Sequence, residues 1–280
     1  MTDVRLHPGN GTYVLEGFDA QGSEAPVSGR IARLTQDVWL HRGLPSGQRD
    51  RECLTGDAVI VIEERDGQAF IRAIKDGYCG WIDADALGPD FTPTHFVAVR
   101  TTHTYPSADM KRPAVQTLHF GSRVAVASQD GEWAHLIDGR FVHAAHLRSD
   151  PMDVVEAARV FLGTPYVWAG NSGAGLDCSG LVQAAYFASG RCCPGDSDQQ
   201  EAMAGEALPP DAALEAGDLV FWKGHVALVT GPDQIIHANA HHMQVVEERL
   251  SDAIERIAAT ETGPVTSRLR PHHSAQNTPG

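Results

Sequence analysis

The chain has 280 residues, 42% hydrophobic and 21% charged, a composition that builds packed cores and excludes the disordered and fibrous classes. That length favours two or three compact units over one continuous core. With 22 Lys plus Arg against 36 Asp plus Glu, the formal charge of −14 repels nucleic acid and anionic membranes, so neither is an expected partner.

The opening MTDVRLHPGNGTYV has no cationic segment followed by an apolar run, and no apolar stretch approaches bilayer-spanning length. The expectation is a soluble, unexported, cytoplasmic protein. Five Cys, with only Cys192 and Cys193 clustered, suit a reducing compartment and argue against a disulfide framework.

Residues 1–29 are rich in Gly, Asp and Ser without a sustained period and read as an extended N-terminal arm. Residues 30–90 and 91–149 then read as two small all-β barrels in tandem. VIVI (59–62), AFIRAI (69–74) and GWI (80–82) are β-prone runs, with Asp66-Gly67 and Asp76-Gly77 between them as hairpin signals. The pattern recurs with RVAVA (123–127) and EWAHLI (132–137), separated by Asp130-Gly131 and followed by Asp138-Gly139. GWIDADAL (80–87) matches RFVHAAHL (140–147) as a closing segment, and GPDFTPTH (88–95) is the expected junction. Length, hairpin spacing and the aromatic closing strand resemble bacterial SH3-like domains.

From Asp150 the signal turns helical. Asp150 can cap and Pro151 suits a first helical position, with Val154, Val155, Ala158, Phe161 and Leu162 on one face before Gly163. A second helix is expected from about Cys178 to Gly190, with strands at 218–222, 225–230 and 234–239. Residues 150–266 are thus an α+β domain, and the tail 267–280 is expected to be disordered.

The chemistry concentrates where a Gly-rich loop runs into the second helix at Cys178. Free backbone amides and the positive helix end favour a thiolate, which can lower a thiol pKa from about 8.5 to roughly 3.5–7.5. His225 opens a strand after Gly224, and a hairpin through Gly231 and Asp233 would set His237 beside it. A Cys, a base and an orienting third group are what nucleophilic acyl chemistry requires.

In order, GTPYVWAG, LDCSGLVQAAY, PGDSDQQ, AGDLVFWKGHVALVTG and IIHANA resemble the NlpC-type cell-wall cysteine peptidases, a papain-like fold. With two SH3-like domains in front, the chain is similar to the three-domain subgroup that cleaves γ-D-glutamyl-diamino acid bonds in murein peptides. The resemblance implies two SH3-like barrels followed by an α+β papain-like cysteine peptidase domain. It makes Cys178 the nucleophile, His225 the base and His237 its orienting residue, with the Cys178 amide at the oxyanion. It also places Asp177 and Ser179 at the substrate amine, Ser197 and Tyr166 among the substrate contacts, Tyr78 as the tyrosine that closes over the substrate N-terminus, and Asp57 where the subgroup usually has Glu. The implied substrate is a murein-derived peptide with a free N-terminal L-Ala, as in cell-wall recycling. Ala169, Gly195 and Ala227 depart from the family's usual Gly, Arg and Gly.

Fourteen His invite a metal reading, but no ligand spacing surrounds His237, His241 and His242, so neither metal nor cofactor is expected. His103, His119, His135, His143 and His146 share no motif and read as ordinary polar residues. Trp81, Trp133, Trp168 and Trp222 read as core or pocket walls. Competing functions are hydrolysis of intact peptidoglycan, a non-catalytic wall-binding protein, and acyl transfer. A scaffold needs no Cys, His, His set, and in relatives that transfer acyl groups the His precedes the Cys. The sequence carries no signal of oligomeric state.

Overall fold

In the computed structural model, which describes residues 3–43 and 47–272, the chain divides between Ser149 and Asp150, with Ala98–Arg100 belonging to the second unit. The first unit opens with a seven-stranded antiparallel sheet in the order Gln48–Cys53, Val38–Arg42, Cys79–Asp83, Gln68–Ala73, Ala58–Arg65, Arg30–Leu34, Leu87–Gly88. Its tightest hairpin joins Arg65 to Gln68 through Asp66 at φ 52° and Gly67 at φ 77°, the paired left-handed conformation that makes Asp-Gly a hairpin signal. Alternate residues of these strands, among them Ala32, Leu34, Val59, Val61 and Ile71, form the barrel core.

The N-terminal segment is no free arm. Tyr13–Leu15 and Ala25–Val27 pair in parallel. Tyr13, Leu15 and Val27 pack on Ile62, Phe70, Cys79 and Trp81, so scattered apolar residues without a period still cover a second face of the barrel.

The repeat read in the closing segments is structural. Cys79–Asp83 runs through a 3₁₀ turn, Ala84–Ala86, into Leu87–Gly88; Phe141–His143 runs through Ala144–His146 into Leu147–Arg148. The second barrel is more broken, built from two three-stranded sheets and the hairpin Thr101–Thr104 with Gln116–His119.

The second unit packs helices against a six-stranded antiparallel sheet ordered Gly205–Ala207, Val265–Pro271, Leu219–Trp222, His225–Gly231, Gln234–Asn239, Gln244–Arg249. Helix α1 spans Val154–Arg159, α2 Cys178–Ala188, α3 Ser197–Glu201 and α4 Leu250–Ala258. The cap of α1 is Asp153 rather than Asp150: its Oδ1 accepts from Val155 N at 2.9 Å and Glu156 N at 3.0 Å. A cap must sit directly before the first free amides, and Asp150 lies a turn too early.

The expected disordered tail is corrected too. Ser267–Pro271 belongs to a strand paired on both sides, with Leu219–Trp222 and Gly205–Ala207. Arg270 forks both oxygens of buried Asp218 at 2.9 Å, so a stretch with two arginines is held by ladder bonds and a bidentate ion pair. The rest of that expectation, residues 273–280, lies outside the described residues.

Candidate active site

Helix α2 carries Cys178 in its first turn and is buried along most of its length. Polar ties fix it: Gln183 accepts from Asn171 Nδ2 at 3.1 Å and donates to the Cys193 carbonyl at 3.1 Å, and Tyr186 Oη donates to the Gly217 carbonyl at 3.0 Å. Asp177 caps the helix. Its Oδ1 accepts from Gly180 N at 2.7 Å and Ser179 Oγ at 2.9 Å, and its Oδ2 accepts Ala169 N at 2.9 Å. One carboxylate therefore sets both the helix start and the loop before it.

His225 and His237 lie on adjacent strands. Trp222 pairs opposite His225 across a turn in which Gly224 has φ 71°, and the Trp222 ring lies 5.6 Å from that imidazole. The two His rings are joined from His225 Nε2 to His237 Nδ1 at 2.9 Å. His237 Nε2 in turn lies 2.6 Å from Glu248 Oε1, whose carboxylate is gripped by Arg256 at 2.6 and 2.7 Å. The backbone N–H of Val226, next to His225 in the chain, reaches the Cys178 sulfur. Cys178 is thus brought up to the start of the strand that His225 opens.

Electrostatics alters one expectation. Burial, and then the Asp177 charge, push the Cys178 thiol up to about 12, although the N–H groups of Val226, Ser179 and Cys178 itself favour the thiolate. Burial also takes His225 down to about 3, with His237 and Arg256 adding to it, and lowers His237. The helix-start effect is present and desolvation outweighs it. Both shifts favour the neutral forms, thiol and imidazole, a pair suited to attack with proton transfer to a general base.

Hydrogen-bond directions follow. Glu248 is held down to about 2 by His237 and Arg256 against its own desolvation, so it only accepts, and His237 Nε2 donates. His237 Nδ1 then accepts from His225 Nε2, which leaves His225 Nδ1 with the lone pair.

Tyr166 stands near Cys178: burial raises its hydroxyl pKa, with Cys178 and Asp177 contributing. Ser179 is buried in the same turn, and Ser197 opens α3, whose Gln200 donates to the Ser179 carbonyl at 3.0 Å. Cys178, His225, His237, Asp177, Ser179 and Tyr166 converge. Tyr78 and Asp57 belong to the first unit. Tyr78 is buried, with the Arg51 guanidinium 5.7 Å from its ring centre. Asp57 accepts from Leu54 N at 2.8 Å and pairs with Lys75 at 2.7 Å.

Trp168, read as a wall, is 70% exposed, whereas Trp222 is buried. Glu248 and Arg256 escaped sequence reasoning: no motif marks them, and only the strand register brings Glu248 to His237. Among the described residues no group of three or more His, Cys, Asp or Glu is arranged to hold a metal ion, and no helix is long and apolar enough to cross a membrane.

Comparison with known proteins agrees with this geometry. Residues 163–260 match the NlpC/P60 family, and residues 41–87 match the bacterial dipeptidyl-peptidase Sh3 domain. The chain is 27% identical over 241 residues to a gamma-D-glutamyl-L-lysine dipeptidyl-peptidase of Bacillus cereus, covering 73% of this chain and 71% of that protein. It is 36% identical over 118 residues to the protein of the same name in Bacillus subtilis, covering 39% of this chain and 36% of that one. The fold resembles the crystal structure of an NlpC/P60 family protein from Bacillus cereus, with a TM-score of 0.73 at 19% identity over 86% of this chain and 99% of that one. The chain therefore carries a cysteine peptidase domain of the NlpC/P60 family, a family of peptidoglycan-peptide hydrolases, behind a bacterial dipeptidyl-peptidase SH3 domain.

Proposed function

We propose that the chain hydrolyses the γ-D-glutamyl-diamino acid bond of murein-derived peptides bearing a free N-terminal L-Ala, as a cytoplasmic recycling peptidase. The observation that carries this is the convergence of buried Cys178 with the His225–His237 line at 2.9 Å, in a domain whose relatives bear the dipeptidyl-peptidase name.

Cys178 Sγ attacks the γ-glutamyl carbonyl carbon while His225 Nδ1 takes the thiol proton. The carbonyl electron pair moves to oxygen, which the Cys178 backbone N–H receives. Collapse breaks the C–N bond as His225 returns the proton to the leaving amine. Water, deprotonated by the same nitrogen, then attacks the thioester carbonyl; the C–S bond breaks to release the L-Ala-γ-D-Glu acid, and His225 returns the proton to Cys178 Sγ. Asp177, whose carboxylate acts electrostatically on Cys178 and Tyr166, supplies negative charge for a substrate ammonium; Ser179, Ser197 and Tyr166 complete the contacts. Tyr78 and Asp57 are assigned to selectivity from their match to the subgroup's sequence pattern.

The test incubates the protein with L-Ala-γ-D-Glu-L-Lys, its diaminopimelate counterpart, their N-acetylated forms and whole sacculi, with products identified by mass spectrometry. Release of L-Ala-γ-D-Glu from the free-amine peptides, and a drop of two or more orders of magnitude on acetylation, is expected. Comparable specificity constants for free and acetylated peptides, or release from sacculi, overturns the recycling assignment.

A further inference from the structure

The hydrogen-bonded line from the base continues beyond His237. Val246 pairs opposite His237, and Glu248, two residues along the same strand, is its diagonal neighbour on the same face. The preceding residue, Glu247, engages Arg159 at 2.7 Å and Thr230 at 2.6 Å instead. Strand alternation thus separates two adjacent glutamates, and only Glu248 addresses the active-site histidines. Arg256, in the last turn of α4, grips Glu248 with both terminal nitrogens, Nη1 on Oε2 and Nη2 on Oε1.

A largely shielded but solvent-touching Arg–Glu pair on its own contributes little. This one ends on an imidazole that is fully buried, where the identity of the protonated nitrogen has consequences for the next ring. We infer that Glu248 and Arg256 are a positioning pair, in which the clamped carboxylate fixes the tautomer of His237 and, through it, leaves His225 Nδ1 free to take the thiol proton. The inference deepens the peptidase reading and rests on it for its catalytic consequence.

Without the carboxylate, His237 can place its proton on Nδ1 and face the His225 Nε2–H with a second donor, turning or flipping the catalytic imidazole. With the carboxylate present, the imidazolium formed on His225 during attack is stabilised through His237 by a fixed anion. Arg256 keeps that anion from taking the proton itself. Among the described residues, the charged or titratable groups around His225 include His237, Arg256 and Glu248, and those around His237 include His225, Glu248, Arg256 and His242.

The decisive measurement is the tautomer state of the two rings in full-length protein labelled with ¹⁵N-histidine, read from long-range ¹H–¹⁵N correlations and assigned with His225→Gln and His237→Gln. Wild type is expected to show Nε2–H on both rings. Glu248→Ala should populate Nδ1–H on His237 and lower kcat on L-Ala-γ-D-Glu-diaminopimelate by about 10- to 100-fold, with KM within about twofold. Glu248→Gln, whose amide oxygen still accepts, should keep the tautomer and recover part of kcat. Should Glu248→Ala unfold because Arg256 is stranded, the double variant Glu248→Ala/Arg256→Ala removes both charges and gives the same reading. Unchanged tautomers in the Ala variant, or wild-type kcat with altered tautomers, overturns the inference. The spectra need no substrate: a wild-type protein inert towards the peptide defeats the peptidase reading, while the tautomers still decide the positioning pair.

Discussion

Ala169 donates its backbone N–H to Asp177 Oδ2 at 2.9 Å while holding a φ of 63°. The bond that anchors the active-site loop is thus made by a non-glycine residue in left-handed backbone. The family pattern that GTPYVWAG resembles implies Gly here, and the geometry supplies a reason: left-handed backbone costs an L-residue about 1–2 kcal/mol. Ala169→Gly should relieve that strain, offset in part by the freedom Gly gains on unfolding, for a small net rise in urea midpoint. Ala169→Val should lose about 1–3 kcal/mol. A Gly variant less stable than wild type would show that Ala169 carries no strain.

Cys178→Ala is expected to cut turnover by about 10⁴-fold or more with folding intact, since the attacking atom is gone. His225→Ala should be nearly as damaging, and His237→Gln milder, about 10- to 100-fold, because orientation is worth less than proton transfer. Equal, small losses in the two His variants, measured by steady-state kinetics beside thermal melts, would remove their separate roles.

Thiol reactivity should follow burial rather than the helix start. Cys192 is the exposed cysteine and the other four are buried, so a Cys192→Ser background isolates the slow sites. In it, Cys178 alkylation by iodoacetamide, followed by peptide mapping, should climb steadily as pH rises above 8. A plateau already reached at pH 6 would mean a preformed thiolate–imidazolium pair.

Acid should weaken the fold through the same residues. The folded pKa of His225 lies near 3, below its ordinary 6.5, so the unfolded chain binds more protons between these values. Its contribution is present above about pH 6.5 and lost as pH falls towards 3. Glu248, held near 2 from an ordinary 4.5, adds a contribution lost over the lower window. Urea melts from pH 8 to pH 4 should show falling stability, with a shallower slope for His225→Gln. Identical slopes would mean that folding does not lower the His225 pKa.

Much of the site was legible because its signals are local. A Gly-rich loop entering a largely apolar helix marks Cys178, and apolar strand runs around Gly224 and Gly231 mark the hairpins bearing His225 and His237. What the sequence concealed depends on distant partners. Glu248 is one of two adjacent glutamates, and only the pairing of His237 with Val246 selects it. Ser267–Pro271 lacks a β-prone run, and its order comes from strands on both sides and from Asp218. The thiol's preference was misjudged because a helix start is visible in sequence, whereas the burial that outweighs it is a property of the packed domain.

The strand Val265–Pro271 follows every other strand of its sheet in chain order, yet it lies between Gly205–Ala207 and Leu219–Trp222. A nascent chain therefore cannot close this sheet until residue 271 has left the ribosome. Until then Leu219–Trp222 presents an open edge, one strand away from His225, to whatever other chain can pair with it. A premature stop ahead of Val265 is therefore expected to yield an aggregating fragment rather than a folded domain.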